Sequence, residues 1–257
     1  MSDDGLNVEI TGAVALLRLT RSERRNALSV GLVDQLEAFF SRPPDAVRAV
    51  ALLADGDHFC AGLDLAENKQ RSTFEVMENS RHWHRAFERI ELGRVPVVSA
   101  LHGAVIGGGL ELALATHVRL ADPTAFYALP EGRLGIFVGG GGSVRITRVL
   151  GADRMRELML TGRRLTAAEG QQLGISHEVT EAGALEERAV ELAAQIAENA
   201  PLNNQVILAA LPRIADMSSS DGLWAESLAA ALTQSTDDAA EGMRAFLEKR
   251  PPNFTGR

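Results

Sequence analysis

One cysteine in 257 residues, Cys60, excludes an intramolecular disulfide. Basic charge is not in excess: 26 Lys and Arg stand against 34 Asp and Glu, a net charge of −8. A general nucleic-acid binder needs a basic face toward the phosphates, so that class is set aside. Local arginines can still hold an anionic ligand on an acidic protein. No apolar run is long and unbroken enough to span a bilayer. The acidic opening, MSDDGLNVEI, lacks the basic-then-apolar pattern of a signal peptide. A cytoplasmic protein without a membrane partner is therefore expected. The glycine clusters match neither the dinucleotide fingerprint nor the phosphate loop with its Lys-Ser/Thr. Ser99 lacks the G-x-S-x-G elbow of a hydrolase.

What is present is enough to bury a sizeable core. Hydrophobic residues make up 46% and charged residues 23%, which suits one large domain or one domain with an appendage. The chain is organised around Val95 to Leu120. An apolar, β-branched run to Ile106 is broken by Pro96 and Gly103, and three glycines follow, Gly107, Gly108 and Gly109. A helix then opens at Leu110 with Glu111 in its first turn. Strand, glycine turn and helix N-terminus together point backbone N–H groups at something negative. Glu111 read alone is equally an acidic residue complementing the helix dipole.

Val47 to Leu65 repeats the grammar: a buried strand, then a small-residue turn at Ala61-Gly62-Leu63. If the two turns converge, each can give one N–H to a two-donor oxyanion hole, where only glycine lets backbone approach so closely. Glu131 is a second carboxylate, either a proton carrier beside Glu111 or a solvated residue of a Pro-Glu-Gly turn. Cys60 has no paired base and reads as a small buried residue. His82, His84, His58 and His102 could bind metal, but two positions apart on a helix His82 and His84 diverge.

Elsewhere, Asn7 to Thr20 reads as two strands about a turn at Thr11-Gly12, and Ala27 to Phe40 as a helix ended by Pro43-Pro44. Residues 67–80 read as a loop or short helix, and Arg81 to Glu91 as a helix. Strands are expected at Val118–Leu120 and Phe126–Leu129, and helices at 143–150, 152–160 and 166–173. From Gly183 the composition turns to alanine, leucine and glutamate at helix spacing, so residues 1–182 read as an α/β core and 183–257 as a helical region. Strand pairs alternating with helices give a ββα rhythm without a fixed-period repeat.

These words also carry a resemblance. His58 to Leu65 resembles the F-x-A-G-x-D-L signature of the crotonase superfamily, the enoyl-CoA hydratases and isomerases. AVIGGGLELALA (104–115) resembles its second signature, and Pro130-Glu131 with the later GGGGSVRI its third. Asn26-Ala27-Leu28-Ser29, Leu160-Thr161-Gly162 and the ending EGMRAFLEKRPPNF fit as well, so the likeness runs almost end to end. It implies an α/β fold, a crotonase-like (ClpP-like) spiral of ββα units, with C-terminal helices that build homotrimers or homohexamers. The amides of Leu63 and Gly108 would form the oxyanion hole, and Glu111 and Glu131 would be the catalytic pair. Phe246 and Lys249 match positions that contact the CoA adenine, and Arg24 and Arg25 fall where the first loop meets the nucleotide. Ala27, Ala61, Gly62, Asp64, Leu65 and Gly107, within the matched signatures, are assigned to the acyl-CoA substrate with them.

The implied reaction is syn hydration of a 2-enoyl-CoA, with Glu131 exchanging the proton at C2 and no metal or redox cofactor. The alternatives are Δ3-Δ2 enoyl-CoA isomerisation and acyl-CoA binding without catalysis. Four departures from the family pattern bear on the site: Leu63 where alanine is frequent, Ala66 for a basic residue, His117 for aspartate, and Phe137-Val138 for a proline-containing approach. Residues 66–90 are expected to line the acyl pocket.

Overall fold

The computed structural model describes residues 5–67 and 72–257. Strands β1 (Leu6–Thr11) and β2 (Val14–Leu19) form the expected hairpin, and β2 continues in parallel with β3 (Ala49–Ala54), β4 (Val97–Leu101), β6 (Val118–Ala121) and β9 (Glu178–Val179). The result is a six-stranded sheet in the order β1-β2-β3-β4-β6-β9. A smaller sheet contains β5 (Ala104–Ile106), β7 (Phe126–Ala128) and β8 (Leu165–Thr166). The run from Val95 to Ile106 is therefore not one strand. Gly103, at φ 52°, breaks it and sends β4 to the large sheet and β5 to the small one.

The split shows the ββα unit. In β4-β5-α3 (Gly108–Ala113) and again in β6-β7-α4 (Glu131–Leu134), the first strand joins the large sheet and the second the small sheet. The second glycine turn and both glutamates thus follow the small-sheet strands of successive units.

β3 is buried on both faces. Val50, Leu52 and Ala54 face the main core, and Ala49, Ala51 and Leu53 face a second one. Helices α1 (Val30–Ser41) and α2 (Thr73–Glu91) cover the first face through Leu32, Leu36, Trp83, Phe87 and Ile90. Helix α8 (Leu185–Ala197) covers the second with Leu185, Ala189, Ala193 and Ala197, four residues apart. Small residues on both surfaces, Ala49 and Ala51 against this alanine row, let helix and sheet approach closely. The alanine-rich sequence beginning near residue 183 thus first supplies a core layer. Beyond it, α9 (Pro201–Ile214), α10 (Ser219–Gln234) and α11 (Asp237–Glu248) extend outward. The remaining helices, α5 (Gly142–Leu150), α6 (Ala152–Thr161) and α7 (Ala167–Gln172), follow α4.

Two expectations need correction. The helix expected from Arg81 starts at Thr73: residues 73–80 take the helical alternative and form its first two turns, because Ser72 and Glu75 form a capping box there. Residues 68–71, also within that expectation, lie outside the described residues. Ala27 and Leu28 precede α1 rather than open it. Ser29 is the N-cap, its Oγ accepting from the Leu32 amide, and Leu28 pairs instead with Leu63. No helix among the described residues is long and apolar enough to cross a membrane.

Candidate active site

The site starts from a register. Cys60 bridges Val105 in parallel: the Cys60 amide donates to Ala104 O, and the Ile106 amide donates to Cys60 O. The two chains therefore reach their glycine turns side by side. A methyl group on Gly62 (φ 94°) would stand 2.8 Å from Ile106 O and 3.2 Å from the Gly108 nitrogen. Only glycine fits. On the other flank, the Leu28 amide donates to Gly62 O and the Asp64 amide donates to Leu28 O. These bonds use the backbone on either side of Leu63 and leave the Leu63 N–H without a partner among the described residues. The Gly108 N–H, at the start of α3, is likewise unpaired.

Glu111 follows one turn into α3, whose six residues are all buried. Its Oε1 accepts from the amides of Gly140 at 2.8 Å and Gly142 at 2.7 Å. Those amides open α5, so the carboxylate sits at that helix's positive end. Glu131 arrives from β7. The Gly107 amide donates to Ala128 O, which fixes the end of β7 beside the second glycine turn. A methyl group on Gly107 (φ 53°) would lie 2.7 Å from Glu131 Oε1. Glu131 is 6% exposed, so the solvated-turn reading is set aside, and its Oε2 is buried without a partner among the described residues.

Both carboxyls are shifted in the same direction. Burial pushes Glu131 up to about 7, opposed by its own backbone amide and reinforced by the charge of Glu111. Burial also raises Glu111, while the amides of Gly142, Gly140 and Gly139 and the charge of Arg145 pull against it. Glu111 Oε1 thus serves as an acceptor of amide hydrogens, and Glu131 carries an oxygen suited to a proton. The charge of Glu111 and the burial of Glu131 both favour the protonated form of Glu131.

Amides and carboxyls line one cleft of about 240 Å³. Ala61, Gly62, Leu63 and Leu65 form one wall, and Ile106, Gly107, Gly108 and Glu111 form the floor. Opposite stand Pro130, Glu131, Leu134, Ile136, Phe137, Val138 and Gly139. Helix α2 closes it with Val76, Asn79, Ser80 and Trp83, inside the expected 66–90 segment. Phe137 and Val138, the departure from the family pattern, are therefore part of the pocket itself.

Other assigned residues stand outside the cleft wall. Asp64 is held by Arg21 at 2.7 Å and by the Ala66 amide at 3.0 Å. Burial raises its pKa, but these two partners hold it below the usual range, which makes it an anchor of the Leu63 turn. Ala27 O accepts from Arg21 in the same anchor. Arg24 and Arg25 are exposed next to it, where the Ala61 amide donates to Arg25 O. Phe246 is 83% exposed on α11 and Lys249 caps that helix, both away from the cleft lining.

The competing chemistries lose their geometry. Cys60 is fully buried, and burial pushes its thiol up to about 12, so no thiolate forms at neutral pH. His82 pairs with Asp34 and Glu37, His84 meets Ser80 Oγ, His58 accepts from the Ala104 amide, and His102 bonds Gly56 O. Among the described residues no three His, Cys, Asp or Glu are placed to hold a metal. Ser99 is buried on β4 against Thr116 Oγ1.

Sequence reasoning passed over the residues that hold Glu111. In the sequence the cluster Gly139–Gly142 stands only as part of a signature. Its physical signal was available: glycines at a helix start offer amides to a carboxylate. Val76, Asn79, Ser80, Leu134 and Ile136 could be found only from the folded chain.

Comparison with known proteins gives a consistent answer. Residues 9–257 match the family described as enoyl-CoA hydratase/isomerase. A crystal structure from Rhodopseudomonas palustris, provisionally named an enoyl-CoA hydratase, superposes with a TM-score of 0.93 at 48% identity over 97% of each chain. The enoyl-CoA isomerase/hydratase fer4 of Mycosarcoma maydis is 34% identical over 98% of this chain and 95% of its own. The enoyl-CoA hydratase EchA19 of Mycobacterium tuberculosis is 31% identical over 97% and 96%. The chain belongs to the enoyl-CoA hydratase/isomerase family and is an enzyme of the crotonase fold.

Proposed function

We propose that this enzyme hydrates a 2-trans-enoyl-CoA to the 3-hydroxyacyl-CoA, in fatty-acid β-oxidation or a related acyl-CoA pathway. The observation that supports the reading is that Leu63 and Gly108, whose amides have no partner among the described residues, line the same cleft as two buried carboxyls. The thioester oxygen rests between the amides and takes up enolate charge as water adds at C3. Glu111, held by Gly140 and Gly142, accepts hydrogen bonds and so takes the proton of the water. Glu131, with its raised pKa and free oxygen, gives its proton to C2. Both carboxyls line the same cleft, and delivery of water and proton from one side of the double bond would make the addition syn. The acid–base chemistry requires no metal or redox cofactor, and CoA enters as part of the substrate.

The exposure of Arg24 and Arg25 beside the Ala61–Leu63 turn supports reading them as contacts for CoA phosphates. The test is a spectrophotometric screen of enoyl-CoAs of graded length with Glu111→Gln and Glu131→Gln alongside. Hydration of a 2-enoyl-CoA should fall roughly 10²- to 10⁴-fold in each variant. Faster conversion of a 3-enoyl-CoA would make the enzyme an isomerase. Tight acyl-CoA binding without turnover at any length would make it a binder, and near-full hydration by Glu131→Gln would remove that residue from the proton transfer.

We further propose that α9 to α11 build a homotrimer, or a hexamer of two trimers. Leu223, Trp224, Leu228 and Leu232 of α10 are each more than half exposed, and α10 lacks a second layer to cover them among the described residues.

A further inference from the structure

The loop that grips Glu111 has no side chains of its own. Gly139, Gly140, Gly141 and Gly142 would sample many conformations if unsupported. Two of them must nevertheless aim their amides at a single carboxylate oxygen. Arg145, one turn into α5, supplies a fastening. Its Nη1 donates to Gly140 O at 2.9 Å, and its Nε donates to Glu91 Oε2 at 2.6 Å. The guanidinium lies so tightly under the loop that a methyl group on Gly141 would collide with Arg145 Nη1.

Glu91 is itself rooted. It ends α2, and its backbone oxygen accepts from His117 Nε2 at 3.1 Å, while His117 Nδ1 accepts from the Val97 amide at 2.9 Å. A continuous set of bonds therefore runs from the central sheet through His117, Glu91, Arg145 and Gly140 to Glu111. The Arg145 and Glu91 side chains are only 10% and 21% exposed. An ion pair so enclosed returns little net stability against the alternative of apolar packing. Its bonds go where the glycine loop needs a fixed shape.

We propose that Arg145, fastened by Glu91, is a positioning residue for the reaction, holding the Gly139–Gly142 loop in the form whose amides grip Glu111. It touches neither substrate nor the reacting carboxylate. The inference rests on the reading of Glu111 as the group that takes the water proton. Its charge also favours the ionised carboxylate. Glu131 on α4 is coupled to Glu111 through its charge, and His84 on α2 meets Ser80, whose hydroxyl donates to Gly139 O in this loop. Both remain in every variant below.

The experiment compares parent, Arg145→Met, Arg145→Lys and Glu91→Gln in steady-state hydration of a short 2-enoyl-CoA across pH. Arg145→Met should lower kcat roughly 10²-fold with KM changed less than about threefold, because a misplaced catalytic group costs about that much. The rising, acidic limb of the profile should move to higher pH, since Glu111 loses both amides and charge. Arg145→Lys should recover roughly tenfold of the lost kcat by restoring the charge without the fork. Glu91→Gln should fall between parent and Arg145→Met.

A kcat within threefold of parent in Arg145→Met overturns the proposal. So does a fall in kcat with an unmoved acidic limb and no rescue by lysine, which would mark a purely structural arginine. If Arg145→Met does not fold, Arg145→Lys and Glu91→Gln decide by the same limb shift. Glu111→Gln in the same assay separates the two claims. If it is inactive while Arg145→Met is normal, only the positioning role fails; if it is fully active, the reading of Glu111 fails.

Discussion

At residue 107 the space a side chain would need is taken by the Glu131 carboxylate, 2.7 Å away. Gly107→Ala should therefore displace Glu131 as well as strain a backbone at φ 53°. Hydration should fall by roughly 10²-fold, with a stability loss of about 1–2 kcal/mol in chemical unfolding. Activity within threefold of parent would show that Glu131 acts from another position. Glu131 also leaves a mark on stability. Its folded pKa near 7 exceeds the value of 4.5 it has when unperturbed, so between these the folded state binds more protons. Stability from this group is present at low pH and lost as pH rises through 7. Glu131→Gln should thus gain on the order of 1–2 kcal/mol at pH 8, allowing for solvent screening, and almost nothing at pH 4. Equal effects at both pH values would contradict this. The two glutamates were legible in the sequence because both glycine turns and a Pro-Glu step frame them. Their environment was not. Nothing in local spacing says that Glu131 is buried, or that Glu111 is met by amides about 30 residues downstream.

Elements carry the next level of the argument. Strand β5 and the turn after β3 are aligned by one bridge, Cys60 with Val105, and the approach of the two glycine turns follows from that register. Sequence grammar showed two similar strand-turn units; only pairing shows that they leave side by side. The start of α2 was readable and missed: Ser72-Thr73-Phe74-Glu75 is a capping-box pattern, outweighed by the polar run around it. Leu28 shows the opposite error, a helix-spaced leucine taken by a β-bridge. His117 ties the end of α2 to β4 by accepting at Nδ1 and donating at Nε2, so it must be neutral. Burial lowers its pKa to about 4 from the ordinary 6.5. That contribution is fully present above pH 6.5 and lost as pH falls through 4, in total on the order of 2–3 kcal/mol. His117→Asn should flatten the loss of stability between pH 6.5 and 4 in urea unfolding; an unchanged slope would mean that His117 is protonated without cost.

Across the whole molecule, the fold was legible to the extent that ββα units and an alanine-rich tail could be seen. The division of the tail was not legible. Helix α8 packs beneath the sheet, whereas α10 presents Trp224 at 67% exposure. Composition is similar in both, and only contact with Ala49 and Ala51 distinguishes the core helix. If α10 forms the subunit contact, Trp224→Glu should convert a trimer or hexamer to monomers in size-exclusion chromatography with light scattering, with its helical circular dichroism retained. A monomeric parent would overturn the oligomer, and an unchanged oligomer in the variant would place the contact elsewhere.

The central claim is that two turns aim their amides at one thioester oxygen while two carboxyls face the adjacent carbons. A crystal structure with a bound, non-reacting enoyl-CoA analogue measures it directly. The thioester oxygen should lie about 3 Å from the nitrogens of both Leu63 and Gly108, with the Glu111 and Glu131 carboxyls facing C2 and C3. An oxygen more than about 4 Å from either amide, beyond hydrogen-bond reach, would contradict the account.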